Sequence, residues 1–148
     1  MYRKYALITG FSVGVGLAGT AFAEDVADAV ATIPGSVEDV RLGGSWEEGD
    51  KVGAYRIVVT RTNTDPVTAR LFVQWVAYGA NGEATVDRSV EIMELADLGL
   101  DIVDFSSESD ADGLSLFIET LDPAGGIDET YELHLFSPVE YIFGPATN

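Results

Sequence analysis

Between residues 37 and 143 the chain repeats one pattern: a short run of β-branched, aromatic and aliphatic residues, then a cluster of Gly, Asp, Asn, Ser or Pro. Such runs suit a half-buried pleated strand, and the clusters between them supply the φ freedom and side-chain acceptors that turns need. Strands are expected at 37–46, 55–62, 70–78, 85–92, 101–105, 114–121, 131–136 and 141–143. About seven or eight short strands at this spacing point to an all-β fold, an antiparallel β-sandwich or barrel. The sequence contains no cysteine, so the fold must be held by its core alone.

Alternation places the core. Leu114, Leu116 and Ile118 share one strand face, and Tyr131, Leu133 and Leu135 share another. The strand around Trp75 is apolar on both sides: Leu71, Val73 and Trp75 point one way, and Phe72, Val76 and Tyr78 the other. A strand of that kind is either covered on both faces or offers its outer face to a partner. Phe72, Val76 and Tyr78 are therefore the expected partner-binding residues, with an unpaired sheet edge as the other docking element.

Turn chemistry sets the connections. Glu47-Glu48-Gly49-Asp50 reads as a hairpin turn, and Asn63-Thr64-Asp65-Pro66 as a break. Asn81-Gly82 predicts a tight type I′ hairpin, because both residues tolerate positive φ. Met93 to Leu98 predicts one helical turn closed by Gly99. The placing of Trp75 mid-chain and Tyr131 at a late strand resembles the immunoglobulin-like sandwich in architecture only. The cysteine pair of that family is missing, and Asp128 stands three residues before Tyr131, where the tyrosine corner has four.

Ahead of the strands the composition changes. Arg3 and Lys4 precede the uncharged run 6–18, and Ala21-Phe22-Ala23 offers a small-x-small pattern before Glu24 and Asp25. These are the parts of a cleaved signal peptide over 1–23. Its apolar run of thirteen residues is short of the roughly 20 that a membrane-spanning helix requires. Val26, Ala29, Val30 and Ile33 have helical spacing before Pro34-Gly35, so 24–36 is a leader or short helix and 37–148 a single β-sandwich domain. The expected location is the bacterial periplasm or the exterior, with no membrane association after cleavage.

Charge narrows the partners. Net charge is −17, and loss of the leader removes Arg3 and Lys4 but no acid, giving −19. A field of that sign repels nucleic acid and anionic lipid. The mature cations Arg41, Lys51, Arg56, Arg61, Arg70 and Arg88 all precede residue 89, whereas 89–148 holds fourteen acids and no Lys or Arg. Pairing of these N-terminal arginines with C-terminal carboxylates on neighbouring strands is expected, Arg56 and Arg70 included; the alternatives are a C-terminal half that holds a divalent cation or docks on a basic partner, and an anionic ligand held by Arg56 and Arg70.

Sites for chemistry are sparse. Counting Glu108 as the first position of a calcium loop puts carboxylates at positions 1, 3, 5 and 12 (Glu108, Asp110, Asp112, Glu119) and Gly113 at 6. The strand pattern of 114–119 argues otherwise, since it carries Glu119 about 20 Å from Gly113. Weak Ca2+ binding by Glu108, Asp110 and Asp112 is the residual metal reading, beside a plain polar turn; no other cofactor is expected. His134 is the only histidine and reads as a surface residue, and no serine sits in a Gly-x-Ser-x-Gly elbow. Trp46, Tyr55, Trp75, Tyr78, Tyr131, Tyr141 and Phe143 could stack on a sugar or grip a peptide, but suit a core better. The expected function is an exported, acidic, non-catalytic domain binding a protein or peptide. A calcium-stabilised envelope domain and a carboxylate-based hydrolase are the alternatives.

Overall fold

The computed structural model describes residues 20–147. The chain divides after Ile33 into two units, residues 1–33 and 34–148. In the first, α1 (Thr20–Ala31) is described; residues 1–19, with most of the expected leader, lie outside the described residues. The helix ends where the Thr32 and Ile33 N–H groups turn back onto the carbonyls of Asp28, Ala29 and Val30, ahead of Pro34. Val26, Val30 and Ile33 are exposed. No helix among the described residues is long and apolar enough to cross a membrane.

The second unit is mostly β and sandwich-like. Strands β1 (Val37–Glu48), β2 (Lys51–Arg61), β3 (Ala69–Tyr78) and β4 (Ala84–Glu91) form one antiparallel sheet in that order. After α2 (Met93–Leu98), strands β5 (Asp101–Asp110), β6 (Gly113–Leu121), β7 (Thr130–Ser137) and β8 (Glu140–Pro145) form the other. Each strand pairs with its neighbour in the sequence, so both sheets are simple meanders. This corrects the immunoglobulin likeness, because that sandwich needs Greek-key connections passing between its sheets. Here the chain changes sheet once, through α2.

The alternation expected for β3, β6 and β7 is the one that forms the core. Ile57, Leu71, Val73 and Trp75 from the first sheet join Leu114, Leu116, Ile118, Leu133 and Leu135 from the second in one buried cluster. Phe105 and Tyr131 extend it. Ile92 and Leu95 close one end: Ile92 N–H donates to Leu71 O, and Ala69 N–H to Leu100 O. The Tyr141 hydroxyl donates to Glu94 Oε2 at 2.8 Å, fastening α2 to β8.

β1 and β5, the first strands of their sheets, lie side by side without a shared ladder. Gly44 sits there at a register shift with φ 124°, and a Cβ in its place would overlap Ser109 Oγ, so only glycine lets the two strands come this close. Arg41 bridges the same seam. Its guanidinium lies 4.4 Å from the Phe105 ring centroid, donates to Phe105 O and pairs with Asp39 and Asp104. The Arg41 guanidinium, followed by the Phe105 N–H, holds the Asp104 carboxyl below its usual range.

Two turns differ from expectation. The first hairpin is tighter, since Glu48 pairs with Lys51 and only Gly49-Asp50 forms the loop. The Asn81-Gly82 hairpin is not type I′. Gly82 has φ 85° but Asn81 does not have positive φ. Gly82 N–H donates to Gly79 O and Gly79 N–H to Glu83 O, which makes a three-residue loop with glycine at the left-handed position. The Glu83 carboxylate accepts from the Asn81 side chain and N–H, which lowers its pKa.

Arginine pairing is less tidy than the sequence suggests. Arg70 pairs with Glu91, and Arg61 and Arg41 reach Asp101 and Asp104, but Arg88 and Lys51 stay with Glu48 and Asp87 in their own sheet. Arg56 donates to Gln74 rather than to a carboxylate. Because Leu116 is fully buried between the sheets, Leu116→Ala is expected to lower unfolding free energy by about 2–5 kcal/mol in urea titration. A loss below about 1 kcal/mol would mean that the sheets do not meet at this residue.

Candidate functional site

The outer face of the first sheet follows from its register. Three cross-strand rows run over it, Val40–Val58–Phe72–Glu91, Leu42–Arg56–Gln74–Ser89 and Ser45–Ala54–Val76–Val86, and beyond them Glu47 pairs with Val52 and Tyr78 with Ala84. Of the three residues picked from sequence, Tyr78 is exposed, Phe72 half-buried and Val76 buried beneath its neighbours. Sequence reasoning missed the more open Val40, Leu42, Val52 and Val86, with Leu42 65% exposed. They were legible only once the strand register was known. The Arg56–Gln74–Ser89 row is linked by side-chain hydrogen bonds of 2.8 and 3.3 Å, so its polar groups are engaged with one another between the apolar rows.

A second feature lies at the end of the sandwich away from α2. The β1–β2 and β5–β6 hairpins and the end of β7 enclose a cleft of about 400 Å³. Trp46, Tyr55 and Phe136 form its apolar wall, and Glu47, Asp110 and Asp112 its rim. A smaller hollow of about 130 Å³ shares that wall and adds Trp75 and Arg88. The Arg88 guanidinium is 5.7 Å from the Trp46 ring and 5.5 Å from the Trp75 ring, and Glu48 clamps it from outside. Arg88 Nε is 3.2 Å from Asp87 Oδ2 but misaligned for a hydrogen bond.

Tyr55 meets Trp75 edge-to-face, with ring centroids 5.6 Å apart. Burial raises its phenol pKa; the Arg88 charge and the Trp75 indole N–H partly oppose this, and Asp110 and Glu48 reinforce it. Trp46, only 5% exposed, has its indole N–H without a partner. A buried donor left unmatched carries a desolvation cost of about 1–3 kcal/mol.

The calcium candidates do not converge. Glu108 and Asp110 share the outer face of β5, while Asp112 sits in the two-residue turn after it. The Asp110 carboxylate already accepts the N–H groups of Asp112 and Gly113 at 2.8 and 3.2 Å. Glu119 is at the other end of β6, as its strand pattern requires. Among the described residues no three acids or histidines are grouped to hold a metal.

His134 is better connected than its sequence context suggested. Ser115 Oγ lies 2.9 Å from Nδ1, and Glu132 Oε1 2.8 Å from Nε2. The pairing of β6 with β7 sets Ser115 opposite His134, a neighbour that only the register reveals. The array can polarise the serine hydroxyl. Nucleophilic acyl chemistry also needs free N–H donors for an oxyanion, and the ladders on both sides of β6 engage its backbone donors.

No protein-family model matches the chain, and the comparisons with curated proteins and with solved structures gave no match either. The cleft's electrostatics are testable through Tyr55. Tyr55, Tyr131 and Tyr141 all have raised pKa values, Tyr141 pushed up to about 12 by burial and then by its bond to Glu94. A raised folded pKa gives stability that is full below the unfolded value of about 10 and is lost as pH rises through the folded value. Stability should therefore fall at high pH, with Tyr141 ionising near 12. Arg88→Gln should push Tyr55 higher still in a carbon NMR titration of the tyrosine rings; a downward shift would show that Arg88 does not face the phenol.

Proposed function

We propose that this chain is an exported, acidic, non-catalytic binding domain that docks a protein or peptide partner on the outer face of its first sheet. The observation that supports it is the exposed apolar area there, spread over all four strands by Val40, Leu42, Val52, Tyr78 and Val86. Apolar area on a sheet face matches another surface rather than an ion or a scissile bond, which favours docking over the calcium-held and hydrolase alternatives. Export is supported by the basic, apolar and small-x-small order of residues 3–23. It implies the periplasm or the exterior.

A stable interface takes about 800 Å² from each partner, more than a few exposed side chains provide. The partner surface therefore extends beyond the apolar rows toward the acidic margins at Glu47, Glu83 and Glu91. Basic groups around an apolar centre would complement it, and the mature domain's net charge of −19 would speed encounter with such a surface.

The test is retention of an envelope protein by immobilised domain. Leu42 and Val86 are exposed, so Leu42→Asp/Val86→Asp should leave the melting temperature within a few degrees of wild type while weakening retention at least about ten-fold. A partner held equally by both forms would contradict docking on this face.

A further inference from the structure

We infer that the cleft at the hairpin end is a receptor for the cationic side chain, guanidinium or ammonium, of an extended segment of a partner. This goes beyond docking on the sheet face, because the cleft shares only Ser45 and Glu47 with that face. Three observations meet there. The first is shape: about 400 Å³ of open space, enough for a long basic side chain and the backbone beside it. The second is charge. Glu47, Asp110 and Asp112 on the rim have no ion-pair partner among the described residues, and the nearby cation, Arg88, is held by Glu48 and Asp87. Low-dielectric walls behind such a rim concentrate its field on a cation in the cleft.

The third concerns the wall itself. In the adjoining hollow it already holds a guanidinium, since Arg88 lies over the rings of Trp46 and Trp75 with the Glu48 carboxylate at its outer side. An aromatic face backed by a carboxylate is the combination that binds a partly desolvated cation. The same wall presents Tyr55 and Phe136 to the cleft. Trp46, which lines both spaces, is 95% buried and its indole N–H lacks an acceptor. A basic side chain of a partner would lay its apolar stem on this wall and bring its charge to the rim.

Both tryptophans of the chain border these spaces, so intrinsic fluorescence reads binding directly. Capped short peptides carrying a central arginine, a central lysine or the neutral isostere citrulline are titrated into the mature domain at low and at physiological salt. The arginine and lysine peptides should bind at least about ten-fold tighter than the citrulline peptide, and more weakly as salt rises. Glu47→Gln/Asp110→Asn/Asp112→Asn should weaken binding of the arginine peptide about ten-fold. The Asp110→Asn change keeps an acceptor for the turn N–H groups, so the hairpin should stay closed.

A control set, Glu119→Gln/Asp128→Asn/Glu140→Gln, removes the same formal charge elsewhere and should change affinity by less than about two-fold. Equal loss in both sets would mean attraction to the overall charge, which overturns the site. Equal binding of the citrulline peptide, or no fluorescence change with any peptide, also overturns it. Neither result bears on retention of a partner by the sheet face.

Discussion

One dry layer between two meanders decides this structure. Ile57, Leu71 and Val73 on one side and Leu114, Leu116, Ile118, Leu133 and Leu135 on the other lose almost all contact with water. At about 25 cal/mol per Å² of apolar area, such a layer is the dominant favourable term available to a chain without cysteine. It also fixes register, because a slip by one residue would turn every one of these side chains outward. The outer-face rows and the end cleft inherit their geometry from that choice.

Charge is arranged around the layer rather than within it. Among the described residues Lys and Arg occur only in the first sheet, where each of their ion pairs lies at an edge, a seam or a strand end. Exposed pairs of this kind contribute little stability. Arg41 is the exception in role, since it joins the two sheets through an aromatic face and a carbonyl as well as through carboxylates. The second sheet keeps an excess of acids, and at the hairpin end these face an aromatic wall. An asymmetry visible in the linear sequence thus becomes a localised electrostatic feature in three dimensions.

What could be read in advance was local. Strand positions, the inner faces of β3, β6 and β7, and the α2 turn capped by Gly99 follow from alternation and turn chemistry, which act over a few residues. The Asn81-Gly82 turn type differed from expectation, the loop running over three residues with the Asn81 side chain and N–H donating to Glu83. The sheet order failed because a loose likeness in the positions of Trp75 and Tyr131 says nothing of how strands connect. Leu42 and Val86, the Ser115–His134–Glu132 array and the cleft were invisible for one reason: each depends on which strand lies next to which. Phe72, Val76 and Tyr78 were correctly placed on one face, yet their exposure depends on neighbours from β2 and β4.

Methyl-to-methyl nuclear Overhauser measurement on the selectively labelled domain tests the shared core most directly. Cross-peaks are expected between the Ile57, Leu71 and Val73 methyls and those of Leu114, Leu116, Ile118 and Leu133. Cross-peaks confined to each set, with the two meanders behaving as separate sheets, would contradict the account.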